Sequence, residues 1–219
     1  MTNFKNVILL LSLVFVTILW NCQKQISINN IDDIPPVSAE DEKFADVYKK
    51  LDGKWKGEFM VMKDPNPSPK SNYDLKNLKK DYVTRPELTL SNTIQVDQTY
   101  ESTTPYFQKV RISDHYPDEK KTVASEGVNK VQNGKMWCVV RKPDETIIHE
   151  GSTQNDSTIV WQSRQEKPQK IEYFQETVTD EYYEIIGYGY YEGHDLNLSP
   201  EYWYYGKYAR IKDTGASSK

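Results

Sequence analysis

From residue 54 onward, apolar and polar positions alternate. In 54–62, Trp55, Gly57, Phe59 and Val61 share one face, with Lys54, Lys56 and Glu58 on the other. A second alternating run covers Leu88, Leu90, Ile94, Val96 and Tyr100, and Tyr106, Val110 and Ile112 continue it. Period two over this length predicts half-buried β-strands. Asn133-Gly134 between Val131 and Met136-Trp137 predicts a tight hairpin. Further strands are predicted at 145–149, 158–163, 170–178, 181–192 and 201–211, separated by short polar stretches. A single helical pattern precedes them: Phe44, Val47, Tyr48 and Leu51 recur at helical spacing within 42–51. About nine or ten antiparallel strands in one domain, 42–212, either close into a barrel or fold into a sandwich. Closure is the expectation, because consecutive hairpins need no crossover and a barrel leaves few open edges.

The first residues follow a different pattern. Val7 to Trp20 carries no charge, follows Lys5 and ends just before Cys22. A membrane-spanning helix needs about 20 apolar residues, so the run has the size of a secretory signal instead. Leu19-Trp20-Asn21-Cys22 resembles the lipobox of bacterial lipoproteins, with Trp20 and Asn21 where small residues are usual. That resemblance implies a signal peptide over 1–21, acylation of Cys22 and a cell-envelope address. Gln23 after the cysteine favours the outer membrane over the inner. An uncleaved anchor is the alternative. Residues 22–41, with Pro35-Pro36 and no aromatic ring, read as a lipidated cysteine followed by a flexible tether. Residues 213–219 read as a disordered tail.

Charge then removes some partners. Without Lys5, the 28 basic residues become 27 against 32 acidic ones, a net charge of −5. A nucleic-acid partner would need a basic face, and electrostatic adsorption to a membrane would need one as well. Attachment is therefore expected through the acyl chains. Cys138, in a strand-like run, reads as a small buried hydrophobe.

Asp46 to Phe59 places a short helix, Gly53 and Trp55 directly before the first strand. Gly53-Lys54-Trp55 resembles the G-x-W signature of lipocalins and other calycin barrels. The resemblance implies an up-and-down barrel whose closed end is plugged by Trp55, with a basic residue of the last strand over the ring. Arg210, or less well Lys207, fills that position. Thr179-Asp180-Glu181-Tyr182 approximates the family's T-D-Y motif but falls too late in the chain.

No catalytic constellation, cofactor site or metal site is expected. His115, His149 and His194 fall in different elements, without zinc-ligand spacing. His194 is the candidate if one histidine ligates a haem, as in the nitrobindin-like branch of these barrels. Glu172, Glu176 and Glu184 read as solvated strand positions. Residues 63–81, rich in proline and lysine, read as a loop over one barrel mouth.

The densest feature is aromatic: nine of the sixteen tyrosines lie between Tyr182 and Tyr208. Both faces of 181–192 are apolar or aromatic, so one row of rings must look outward or meet a partner. Gly187 and Gly189 fit a barrel bend or room for a ligand. The expected function is a lipid-anchored barrel binding a small apolar or amphipathic molecule, with Tyr183, Tyr191, Tyr202 and Tyr204 as candidate ligand contacts. The alternative is an envelope lipoprotein with a filled core and an exposed tyrosine face for a protein partner. A cavity of several hundred Å³ favours the first.

Overall fold

The computed structural model describes residues 26–212. The expected signal segment, Cys22 and the tail 213–219 lie outside them. Ten strands follow one another along the chain: β1 (Gly53–Lys63), β2 (Thr89–Thr104), β3 (Phe107–Tyr116), β4 (Lys121–Gln132), β5 (Lys135–Arg141), β6 (Thr146–Asn155), β7 (Thr158–Gln165), β8 (Lys170–Val178), β9 (Tyr182–Tyr191) and β10 (Tyr202–Ile211). Each pairs antiparallel with its neighbours in sequence, and β1 pairs with β10, so the sheet is a closed up-and-down barrel. This is the lipocalin-like plan expected above. The sandwich alternative falls. At the β4–β5 hairpin, Asn133 and Gly134 have φ of 58° and 70°, the paired left-handed turn that Asn-Gly supplies at little steric cost.

The helix expected over 42–51 forms as two 3-10 turns, Glu42–Phe44 and Lys49–Leu51. They lie under the barrel and carry Tyr48 and Leu51 into its base, where both are buried. Tyr48 stacks on Trp161 of β7 (6.2 Å, 13°) and donates to the Lys130 carbonyl at 2.9 Å.

Two segments cover the outside of the barrel, and each departs from the sequence reading. Residues 26–41 do not hang free as a tether. Ile31 is buried with Phe107, Val128 and Val139 on the outer faces of β3, β4 and β5. The Lys130 ammonium, wholly buried, donates to the carbonyls of Asn30 (2.7 Å) and Ser27 (3.4 Å). Asp41 accepts from the Gly134 amide at 2.7 Å. The segment is polar in composition, yet its backbone carbonyls, Ile31 and the partly buried Ile28 hold it against the wall.

The second cover is the loop joining β1 to β2, with α1 (Lys80–Val83) inside it. It does not cap a mouth. Leu75, Leu78 and Val83 pack with Val160, Tyr173, Ile186, Trp203 and Tyr205 on the outer faces of β7 to β10. Arg85 lies over the rings of Tyr73 (4.5 Å) and Trp203 (5.2 Å), with its Nη2 3.0 Å from Asp64. The outward aromatic row therefore meets a partner within its own chain. This cover takes much of the tyrosine surface that the alternative reading left exposed: among the described residues, Trp203, Tyr205 and Tyr190 are at most 5% exposed.

Candidate functional site

Gly53 begins β1 with φ +121°, a conformation that side chains rarely adopt, and turns the chain from the basal 3-10 turn into the barrel. Two residues on, Trp55 is wholly buried and its indole N–H donates to the Leu51 carbonyl at 2.7 Å. Trp55 and Arg210 are cross-strand partners, and the Arg210 guanidinium lies 4.2 Å from the indole centroid. Its Nη2 donates to the Lys50 carbonyl at 3.0 Å and its Nη1 to the Asp52 carbonyl. Arg210, not Lys207, takes the basic position; Lys207 is exposed. Asp52 accepts from Ser102 and Gln108 at 2.8 Å. Burial works to raise its pKa, but hydrogen bonds from Lys49, Gln108 and Ser102 outweigh that and lower it. The base is thus closed by stacking and by hydrogen bonds to backbone carbonyls.

Above this floor the interior is aromatic. Tyr183 meets Trp55 edge-on (5.6 Å, 70°) and packs on Tyr208 (5.0 Å) and Tyr100 (6.2 Å). The Tyr100 hydroxyl donates to Gln98 at 2.6 Å. Burial raises the pKa of all three tyrosines well above the ordinary phenol value.

The inward rows do not fill the barrel. A cavity of about 260 Å³ runs from Tyr183, Tyr100 and Trp161 past Cys138 and Phe174 to Asp114, Tyr116 and Lys142 at the rim. An apolar cavity of about 150 Å³ holds a benzene ring, so this one has room for a two-ring molecule. Its walls are mainly Val, Ile and aromatic rings. Glu176 of β8 reaches into it. The Trp161 and Tyr183 side chains beside the carboxyl work to lower its pKa, but burial dominates and pushes it up to about 7. Burial likewise raises Asp114, against the opposing charge of Lys142. It pushes the Cys138 thiol far above its ordinary value, so the sulfur is neutral, as expected of a small hydrophobe.

The sequence reading placed Glu172 and Glu176 on a solvated face. Both point inward, as do Phe174 and Val178 on the same row of β8. Phe174 and Val178 on that row could not decide the matter, because Ile171 and Tyr173 lie on the other. Glu184 does face outward, accepting from Tyr205 at 2.9 Å.

Of the four tyrosines expected at a ligand, Tyr183 lines the cavity. Tyr204 and Tyr191 fill the barrel beside it: Tyr204 stacks between Phe59 (5.7 Å) and Phe174 (5.4 Å). The Tyr191 hydroxyl contacts that of Tyr204 and donates to Glu172 at 2.8 Å. Tyr202 sits at the rim, stacked on His194 (5.7 Å, 17°). The space opposite Gly187 and Gly189 is taken by Phe174 and by Tyr191 and Tyr204, so it houses the chain's own rings and no ligand.

His194 also lies at the rim, outside the cavity lining, with Nε2 3.1 Å from Glu201 and Nδ1 facing the Tyr191 amide at 3.3 Å. The cavity histidine is His149 on β6, its Nε2 3.5 Å from Glu172. His115 contacts Thr122. Among the described residues no three His, Cys, Asp or Glu side chains cluster in a way that could hold a metal ion. Also among them, no helix is long and apolar enough to cross a membrane.

No protein-family model and no curated protein matches the chain. Among solved structures it is similar to EF1p2_mFAP2b bound to DFHBI, at 9% identity, over 77% of this chain and 99% of that one, with a TM-score of 0.36. A likeness this distant says nothing of ligand or activity.

Proposed function

We propose that this protein is a binding barrel for a small amphipathic molecule, tethered to a membrane through Cys22. The observation that carries the reading is the unfilled interior: about 260 Å³ of mostly apolar space with one carboxyl at depth. Binding sites of this kind are concave and largely apolar, with few convergent polar groups. The floor below is sealed, so the ligand enters at the Asp114–Tyr116–Lys142 end. Membrane attachment rests on Lys5, the uncharged run 7–20 and Cys22; an outer-membrane location rests on Gln23. The reading assigns binding rather than catalysis, with no cofactor and no nucleic-acid partner.

Isothermal titration with 2-(1-naphthyl)ethanol tests it. The expected affinity is on the order of 10 µM for a ligand of this size, and it should vanish in Val140→Trp, which fills the cavity. Native mass spectrometry of protein purified from its own host should show added mass of a few hundred daltons at most. Absence of binding by the wild-type protein would overturn the reading.

A further inference from the structure

The polar groups of the cavity are unbalanced, and the imbalance states what a ligand must bring. This inference rests on the binding reading above and narrows it. We propose that the cavity takes a small organic cation, a protonated amine on an aromatic body.

Three of the inward donors are already committed, while His149 Nε2 is buried without a hydrogen-bond partner. The Tyr183 hydroxyl lies 3.4 Å from that of Tyr100. The Tyr100 hydroxyl serves Gln98 at 2.6 Å. The Asn129 amide nitrogen serves Gln108 at 2.9 Å. Cys138 offers only a weak S–H donor.

The acceptors are not committed in this way. Asn129 is 2% exposed, lines the cavity, and its Oδ1 has no partner. Ser125, four residues away on the same row of β4, also has an unpartnered Oγ. A buried polar atom left unpaired costs about 1–3 kcal/mol, so a ligand that donates hydrogen bonds relieves a cost built into the empty site. Glu176 and Asp114 add two carboxyls.

Charge points the same way. Among the described residues, no basic side chain contacts Glu176. The basic groups nearer the rim face carboxylates other than Glu176: Lys142 lies 3.8 Å from Glu145 and acts on Asp114, and His149 and Lys170 each lie 3.5 Å from Glu172. Trp161 and Phe174 are direct cross-strand partners and both line the cavity beside Glu176. Aromatic faces beside a desolvated carboxylate attract a cation from two sides.

The carboxyl makes the preference pH-dependent. The titratable groups facing Glu176 are Tyr183 on β9, Tyr100 on β2, Tyr208 on β10 and Cys138 on β5, all held neutral by burial. Asp114 on β3 lies higher in the same cavity, its carboxyl also raised. With Glu176 titrating near 7, cation affinity should be high at pH 8 and fall by pH 5.5.

The test is isothermal titration with three compounds of one shape: 2-(1-naphthyl)ethylamine, 2-(1-naphthyl)ethanol and 1-naphthaleneacetate. At pH 8 the ammonium should bind at least tenfold tighter than the alcohol, and the carboxylate should bind weakest. The preference should shrink to threefold or less at pH 5.5, and likewise in Glu176→Gln at pH 8. Equal binding of amine and alcohol, tighter binding of the carboxylate, or a preference unchanged by both pH and Glu176→Gln would overturn the cation assignment and leave the binding reading intact. Failure of all three compounds to bind would remove both. Should Glu176→Gln fail to fold, the two pH values on the wild-type protein decide the matter.

Discussion

The guanidinium of Arg210 lies 4.2 Å from the centroid of the Trp55 ring, and the two residues face each other across the β1–β10 seam. One contact therefore joins the first strand to the last and seals the base of the cavity. Trp55→Ala is expected to cost about 3–5 kcal/mol as a large-to-small change in a closed site. Arg210→Ala should cost less, about 1–3 kcal/mol, from the lost cation–π contact and the lost hydrogen bonds to Lys50 and Asp52. Urea unfolding measures both. An unchanged midpoint in Trp55→Ala would contradict a plug at this position.

Glu176 gives the fold a pH signature. Its pKa is raised from 4.5 to about 7 on folding, so the folded state holds this proton more tightly than the unfolded one. Stability from this group is complete below pH 4.5 and is lost as pH rises through 7. The loss is on the order of 3 kcal/mol. Glu176→Gln lacks the slope, so its stability relative to wild type should improve between pH 4.5 and 8. Urea midpoints at the two pH values are the measurement, and a constant difference would argue against a desolvated carboxyl.

Lys130 holds residues 26–41 to the wall through the carbonyls of Ser27 and Asn30. In Lys130→Met, hydrogen-exchange protection around residues 27–34 should fall about tenfold while the barrel strands keep theirs. Burial lowers the lysine's pKa from 10.5 to about 8, so the unfolded state binds the proton more tightly and wild-type stability rises with pH between those values. The methionine variant should not show that rise. Equal protection in both proteins would mean that the segment is held by its other contacts, Ile31 and Asp41 among them.

The anchor has its own test. Cys22→Ser, expressed in the native host, should take up no radioactive palmitate, and the wild type should. Labelling that survives the substitution would place the lipid elsewhere.

Much of the architecture was legible because its signals are local. Asn133-Gly134 specifies a turn by backbone conformation, and Gly53-Lys54-Trp55 with a terminal-strand arginine specifies both ends of the barrel. What escaped was the destination of segments whose place depends on distant partners. Alternation along β8 separates Glu172, Phe174, Glu176 and Val178 from Ile171, Tyr173, Gln175 and Thr177, but each set mixes polar and apolar residues. Only the barrel decides which set is inside. The loop 64–88 and the segment 26–41 look equally unstructured by composition. Leu75, Leu78 and Val83 in one, and Ile31 in the other, gain their meaning only when a dry outer wall lies beneath them.

The coverage of β9 on both sides has a consequence for how that strand finds its alignment. In a strand with one wet face, a shift by one residue is penalised because polar groups turn inward. Here Ile186, Tyr188 and Tyr190 could exchange sides with Tyr183, Ile185 and Tyr191 at little cost in polarity. Shape must impose the penalty instead: a Cβ at position 187 would come within 2.4 Å of the Tyr173 carbonyl and 2.6 Å of the Phe174 ring. Residue 187 must be a glycine there, and a slipped chain would offer isoleucine or tyrosine. β9 is aligned by a vacancy rather than by a pattern.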